Sequence, residues 1–212
     1  MSLDLATPII YLITKGEATP ANFDVASRQI LDIVGIAVEE NVPLIQIREK
    51  NLTAKLLFEL TSKVVKITNG SATRVLVNDR ADIAVAAGAD GVHLTWLSLS
   101  ADVIRKTFGS EFIIGASTHN IDEAENAAAR GADLAVFAPV FETPGKGAAA
   151  GLAALRDVCD RLDPFPILAL GGVDRENYRS VLAAGAKGFA AVRSLNDATH
   201  LRAISAELRN EK

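Results

Sequence analysis

The chain has 212 residues, 49% hydrophobic and 23% charged, with a formal net charge of -4, so it can bury a full core and is expected to form one domain over residues 1–212. The slight acidic balance, with no run of Lys and Arg, excludes nucleic acid or an anionic membrane as the main partner, and the single cysteine, Cys159, excludes a disulfide framework and is expected to be a buried, inert thiol. No stretch approaches the ~18 apolar residues of a spanning helix, and "MSLDLATPII" lacks the basic start and long apolar region of a signal peptide, so a cytoplasmic protein is expected.

In chain order, "PIIYLIT" (8–14) is the first predicted strand, a short β-rich run. "SRQILDIVGIAVEEN" (27–41) follows with apolar residues at three- and four-residue spacing, the pattern of a helix with one buried stripe. The second strand, "PLIQIRE" (43–49), begins apolar and ends by setting Gln46, Arg48, Glu49 and Lys50 within five positions. A second helix, "TAKLLFELTSKVVKIT" (53–68), leads to the strands "RVLVND" (74–79), "DGVHL" (90–94) and "EFIIGAST" (111–118). After the helix "DEAENAAARGA" (122–132) come "DLAVFAPV" (133–140) and "FPILALGG" (165–172); the helix "RENYRSVLAAGA" (175–186) then precedes the last strand, "KGFAAVRS" (187–194).

Eight near-continuous apolar strands alternating with helices fit parallel strands covered on both faces, and predict a single (β/α)8 TIM barrel. A doubly wound open sheet is the runner-up, but it calls for a glycine-rich turn after the first strand, where this chain has "ITKGEATP". "AGAD", "RGAD" and "AGAK" recur before strands and read as glycine-capped helix ends.

In such a barrel the reactive residues stand just after each strand. Collecting them gives Gln46, Arg48 and Lys50; Asn78, Asp79 and Arg80; Ser117, Thr118 and His119; Thr143 and Lys146; and Gly171, Gly172, Arg193 and Ser194. Cations, small hydroxyls and bare glycine backbone together form a site for phosphate or pyrophosphate, because Arg supplies a planar fork, Lys a mobile charge and glycine a close approach to backbone N–H groups. "ALGGVDREN" adds a glycine pair expected to lead into a helix whose positive end favours an anion. The lone Lys146 in "TPGKGAAAGL" reads as a lid that carries a cation over the ligand. Structural readings stand beside these: Arg48 pairing with an acid, Asp79 capping the next helix, Arg80 solvated, His119 capping a helix start, the glycine pair as a plain turn, and His93 as an interior strand residue.

The motifs "YLIT", "QIREK", "LVNDRADIAVAAGADGVHL", "IIGASTHNIDEA", "GADLAVFAPVFETPGK", "PILALGGVDREN" and "VLAAGAKGFAAV" resemble, in order, those of the thiamine-phosphate synthases and their thiazole tautomerase relatives. In the synthases, the resemblance implies, a hydroxymethylpyrimidine diphosphate loses pyrophosphate and the nitrogen of a hydroxyethylthiazole phosphate captures the pyrimidine cation. Gln46, Arg48, Lys50, Asn78, Ser117 and Lys146 would then hold the diphosphate substrate, and Thr143, Gly171 and Gly172 the thiazole phosphate; Arg193, which either reaches a phosphate or partly fills its pocket, and Ser194 are further substrate-binding candidates. Mg2+ on Asp79 would take up charge from the diphosphate, and the family's homodimer is the expected assembly.

The chain departs from the synthases after "GVHL", where "TWLSLS" puts Ser98 in place of a second magnesium-binding aspartate, and in "AVRS", where Arg193 replaces a small residue. The tautomerases need no metal, and the same resemblance would give His119 the acid/base role. A third possibility of another class is a non-catalytic protein that keeps the phosphate pocket.

Overall fold

The computed structural model describes residues 8–145 and 147–210. All eight predicted strands form: β1 (Ile9–Ile13), β2 (Leu44–Ile47), β3 (Arg74–Asn78), β4 (Gly91–Leu94), β5 (Ile113–Thr118), β6 (Leu134–Phe137), β7 (Ile167–Ala169) and β8 (Gly188–Ala191). They follow one another around a closed barrel in sequence order, which makes the fold a (β/α)8 TIM barrel and sets aside the doubly wound alternative. The pairing is parallel, with Ile13 opposite Gln46 and Gln46 in turn opposite Leu76.

The intervening helices are α1 (Phe23–Glu39), α2 (Ala54–Thr68), α3 (Ala81–Ala87), α4 (Ala101–Phe108), α5 (Ile121–Ala129), α6 (Gly151–Leu162), α7 (Tyr178–Ala183) and α8 (Ala198–Asn210). The first begins four residues before the predicted start, because Phe23 and Ala26 extend its buried stripe beyond Ile30 and Ile33. The seventh is shorter than "RENYRSVLAAGA" predicts. Asp174 and Asn177 fold into a turn, each side chain accepting the other's backbone N–H at 3.0 and 3.2 Å, which keeps Arg175 to Asn177 out of the helix. None of the helices in the described residues is long and apolar enough to cross a membrane.

Packing divides the chain into two compact units. One comprises Tyr11–Val92 and the chain from Val192. In it α1 turns Ile30, Ile33, Val34 and Ala37 inward, α2 turns Leu57, Leu60 and Val64 inward, and Thr53 caps α2 by accepting the Leu56 N–H at 3.3 Å. The other comprises His93–Ala191 and the segment that ends at Ile10. Here Gly188 lies so close to β1 that a Cβ would stand 2.1 Å from the Ile9 carbonyl oxygen, a separation no side chain tolerates, and Tyr178 packs on Phe189 at 5.4 Å between ring centroids. Burying each such aliphatic or aromatic side chain contributes about 1.5–3 kcal/mol. Cys159 is buried as expected, and its surroundings push the thiol up to about 11: burial first, then Asp160, with Lys187 acting against both.

Candidate active site

The unit that contains β2 and β3 carries a polar ladder at the ends of those strands. Gln46 is 1% exposed and Asn78 7%, so both amides need internal partners. The Gln46 amide donates to Asn78 Oδ1 at 3.4 Å, and the Asn78 amide donates to Asp79 Oδ2 at 2.6 Å. Asp79 sits in the left-handed region, with φ 59°. A non-glycine residue there costs about 1–2 kcal/mol, and such strain collects at ligand sites. Asp79 stands one residue before the cap position of α3. The cap position of α3 belongs to Arg80, which makes no side-chain cap bond; its guanidinium instead grips Asp82 through two bonds of 2.8 and 2.6 Å. That Arg80 bond is the main reason the Asp82 carboxyl lies below its ordinary range.

Arg48 is braced by the loop after β1. Its backbone N–H donates to Thr14 Oγ1 at 2.8 Å, and a Cβ on Gly16 would come within 3.1 Å of the Arg48 guanidinium. The loop is itself clamped by Glu49, 2% exposed, whose two carboxylate oxygens accept the N–H groups of Gly16 at 3.0 Å and Ala18 at 2.8 Å. Glu49 is thus a structural acid, and the half-buried Arg48 side chain lies against the Gly16 turn. Lys50 follows in an exposed turn. A cleft of about 340 Å3, lined in part by Lys15, Gln29, Asp32 and Glu49, opens beside this loop against α1. In the same unit Arg193 is exposed and precedes the 3-10 turn Ser194–Asn196, and Ser194 Oγ is buried with no hydrogen-bond partner among the described residues.

In the unit that includes His93–Ala191 and contains β5 to β8, His93 is an interior strand residue, as expected, but it is also a polar one. Its Nε2 lies 2.9 Å from Ser117 Oγ. Thr118, in contrast, is buried and donates to the Val136 carbonyl at 3.3 Å, away from any site. His119 is exposed. Its backbone N–H donates to Glu123 Oε2 at 2.8 Å and its Nδ1 lies 3.0 Å from the same oxygen. The helix cap predicted for it belongs to Asn120, whose side chain accepts the Glu123 N–H at 2.9 Å. Burial raises the Glu123 carboxyl, but the hydrogen bonds from His119 and Asn120 outweigh it and hold the group below its ordinary value.

The glycine pair after β7 is required by packing. Gly171 and Gly172 have φ of 98° and 65°, and a Cβ on either would come within 2.7 Å of Pro139 or Phe141 in the loop after β6. The expected helix does not follow them directly. The turn of Asp174 and Asn177 intervenes, and the Asn177 amide donates to the Gly172 carbonyl at 2.8 Å. Thr143 donates its hydroxyl to the Phe141 carbonyl at 3.0 Å, while Lys146 lies outside the described residues. In the departing "TWLSLS" segment, Ser98 accepts the Thr95 N–H at 2.8 Å, and Trp96, Leu97 and Leu99 are exposed.

Sequence reasoning passed over the His93 to Ser117 bond. The available signal was a histidine in an apolar strand beside a strand ending in serine.

The family described as "Thiamine monophosphate synthase" matches residues 10–195. A Geobacter sulfurreducens protein provisionally given the name thiamine-phosphate synthase is 39% identical over 189 residues, 88% of this chain and 85% of its own. A "Thiamine-phosphate synthase" of Moorella thermoacetica is 37% identical over 185 residues, 86% of this chain and 88% of its own. Among solved structures, "Thiamine phosphate pyrophosphorylase" of Pyrococcus furiosus superposes with a TM-score of 0.79 at 30% identity, covering 95% of this chain and 93% of its own. The chain belongs to the thiamine monophosphate synthase family.

Proposed function

We propose that the protein is a thiamine-phosphate synthase, a transferase that joins hydroxymethylpyrimidine diphosphate to hydroxyethylthiazole phosphate with release of pyrophosphate. The observation that carries this reading is the Gln46–Asn78–Asp79 ladder ending in a strained aspartate, with Arg48 braced beside it. A tautomerase has less need of a site for a pyrimidine diphosphate.

In this reading Gln46 and Asn78 orient the pyrimidine, and Arg48 and Lys50 neutralise its diphosphate. The C–O bond to the diphosphate breaks, and its electron pair leaves with pyrophosphate. Ser117 and Lys146 stabilise the departing oxygens. The thiazole nitrogen then gives its lone pair to the pyrimidine methylene carbon, forming the C–N bond. Thr143, Gly171, Gly172, Arg193 and Ser194 serve the thiazole phosphate in this reading.

The residues fit Mg2+ in a reduced form. Asp79, its side chain fixed by Asn78, is one carboxylate, and Mg2+ is commonly held by one or two carboxylates together with substrate phosphates and water. Ser98 adds no charge, and its hydroxyl already accepts the Thr95 N–H. When bound, the ion would offset charge on the diphosphate.

The deciding experiment supplies both substrates with Mg2+ and measures pyrophosphate and thiamine phosphate together. Stoichiometric appearance of both, lost in Arg48→Ala, is expected. No product at high enzyme concentration, with thiazole phosphate still raising the melting temperature, would replace the enzyme with a non-catalytic binder.

A further inference from the structure

We propose that His93 is a positioning residue for the Ser117 hydroxyl, an inference that rests on the synthase reading. The imidazole is 2% exposed, and its Nε2 stands 2.9 Å from Ser117 Oγ. Gly115 makes room for the ring: a Cβ there would lie 2.7 Å from His93 Nδ1, so the strand that presents Ser117 also gives the histidine its slot.

A serine hydroxyl has one donor and two acceptor positions and otherwise rotates freely. The bond to Nε2 removes that freedom in one of two ways. If Ser117 donates to Nε2, it turns only lone pairs toward a ligand, and these repel a diphosphate. If Nε2–H donates to Oγ, the serine proton points outward and can hydrogen-bond the oxygen that gains the electron pair as the C–O bond breaks. Departure of an anion selects the second arrangement, in which His93 is the neutral Nε2–H tautomer. Neither residue gives up its proton. His93 keeps Nε2–H, Ser117 keeps O–H, and pyrophosphate carries away the electron pair.

The test combines kinetics of the full chain, with both substrates and Mg2+, and nitrogen-15 NMR of the imidazole at pH 8. In the wild type the NMR signals are expected to report a protonated Nε2, which shifts in Ser117→Ala. His93→Leu is expected to lower kcat about tenfold, the worth of one hydrogen bond, with both KM values within about threefold. His93→Gln, whose amide can donate in place of Nε2, is expected to recover most of that loss, and the His93→Leu effect should vanish in a Ser117→Ala background. A wild-type ring protonated at Nδ1 alone would overturn the assignment, as would an undiminished His93→Leu effect in that background. The NMR arm decides the inference even if His93→Leu does not fold. Absence of turnover in the wild type would instead count against the synthase reading, with the tautomer still measured.

Discussion

Glu49→Gln tests whether the grip on an anion depends on the loop behind it. The carboxylate is 2% exposed and takes two backbone N–H groups, from Gly16 at 3.0 Å and Ala18 at 2.8 Å. Hydrogen bonds to a charged acceptor contribute about 1.5–3 kcal/mol each. The amide keeps one acceptor oxygen but turns an N–H toward the other backbone N–H, so one buried donor loses its partner and meets a second donor. The neutral side chain also avoids the cost of burying a charge, which offsets part of the loss. A net destabilisation of ~2 kcal/mol remains, and at ~2–4 °C per kcal/mol for a chain of this size the melting temperature should fall by about 4–8 °C. Because the loop also braces Arg48 through Thr14 and Gly16, inorganic pyrophosphate should bind more weakly. Calorimetry supplies both numbers, from thermal unfolding and from titration. A variant that melts with the wild type and binds pyrophosphate equally well would refute the clamp.

Ser98→Asp keeps an acceptor for the Thr95 N–H and adds a negative charge, so the Mg2+ concentration for half-maximal rate should fall by about an order of magnitude; an unchanged magnesium titration would remove Ser98 from the metal question. His119→Ala removes an exposed ring tied to Glu123 and should keep pyrophosphate release within about twofold, whereas a tautomerase would lose its acid/base group and with it the metal-independent ultraviolet change. Cys159, with its thiol raised to about 11, should react with a disulfide reagent at pH 8 about a hundredfold more slowly than a free cysteine until the protein unfolds; rapid native labelling would contradict its burial. Ser194→Ala breaks no internal hydrogen bond and should leave stability within ~0.5 kcal/mol. It should still raise the KM for thiazole phosphate several-fold, and an unaltered KM would free Ser194 of a phosphate role.

The barrel was legible because parallel strands buried on both faces leave apolar runs such as "FIIGA" and "PILAL", and because their helices end in recurring glycines such as Gly88 and Gly131, both with positive φ. Strand ends supplied the candidate site residues because a barrel gathers polar chemistry there, yet Glu49, Arg80 and Thr118 among those polar residues are tied up in internal bonds. What the sequence concealed is how side chains divide their bonds. Asp79 reads equally well as a helix cap, whereas the cap position falls on Arg80, and Asp79 takes a left-handed backbone and accepts the Asn78 amide. His119 and Asn120 compete for one helix start, and a single residue of offset decides which caps it. The His93 to Ser117 bond joins positions 24 apart and depends on the stagger of two strands, a quantity absent from composition and spacing.

The glycine pair changes where a phosphate site should be sought. Two adjacent glycines before a helix suggest bare backbone kept open for an anion at a positive helix end. In the folded chain the space above Gly171 and Gly172 is filled by Pro139 and Phe141, and α7 begins only at Tyr178, after the turn held by Asp174 and Asn177. A side chain at either glycine would therefore move the loop after β6, which carries Thr143, before it met any ligand. What the packing shows for the pair is that it seats that loop. In the other unit the turn of Ser194 is pinned by the Asn196 amide, which donates to the Ile13 and Val192 carbonyls at 2.8 and 2.6 Å, and the Ser194 hydroxyl is buried without a partner among the described residues.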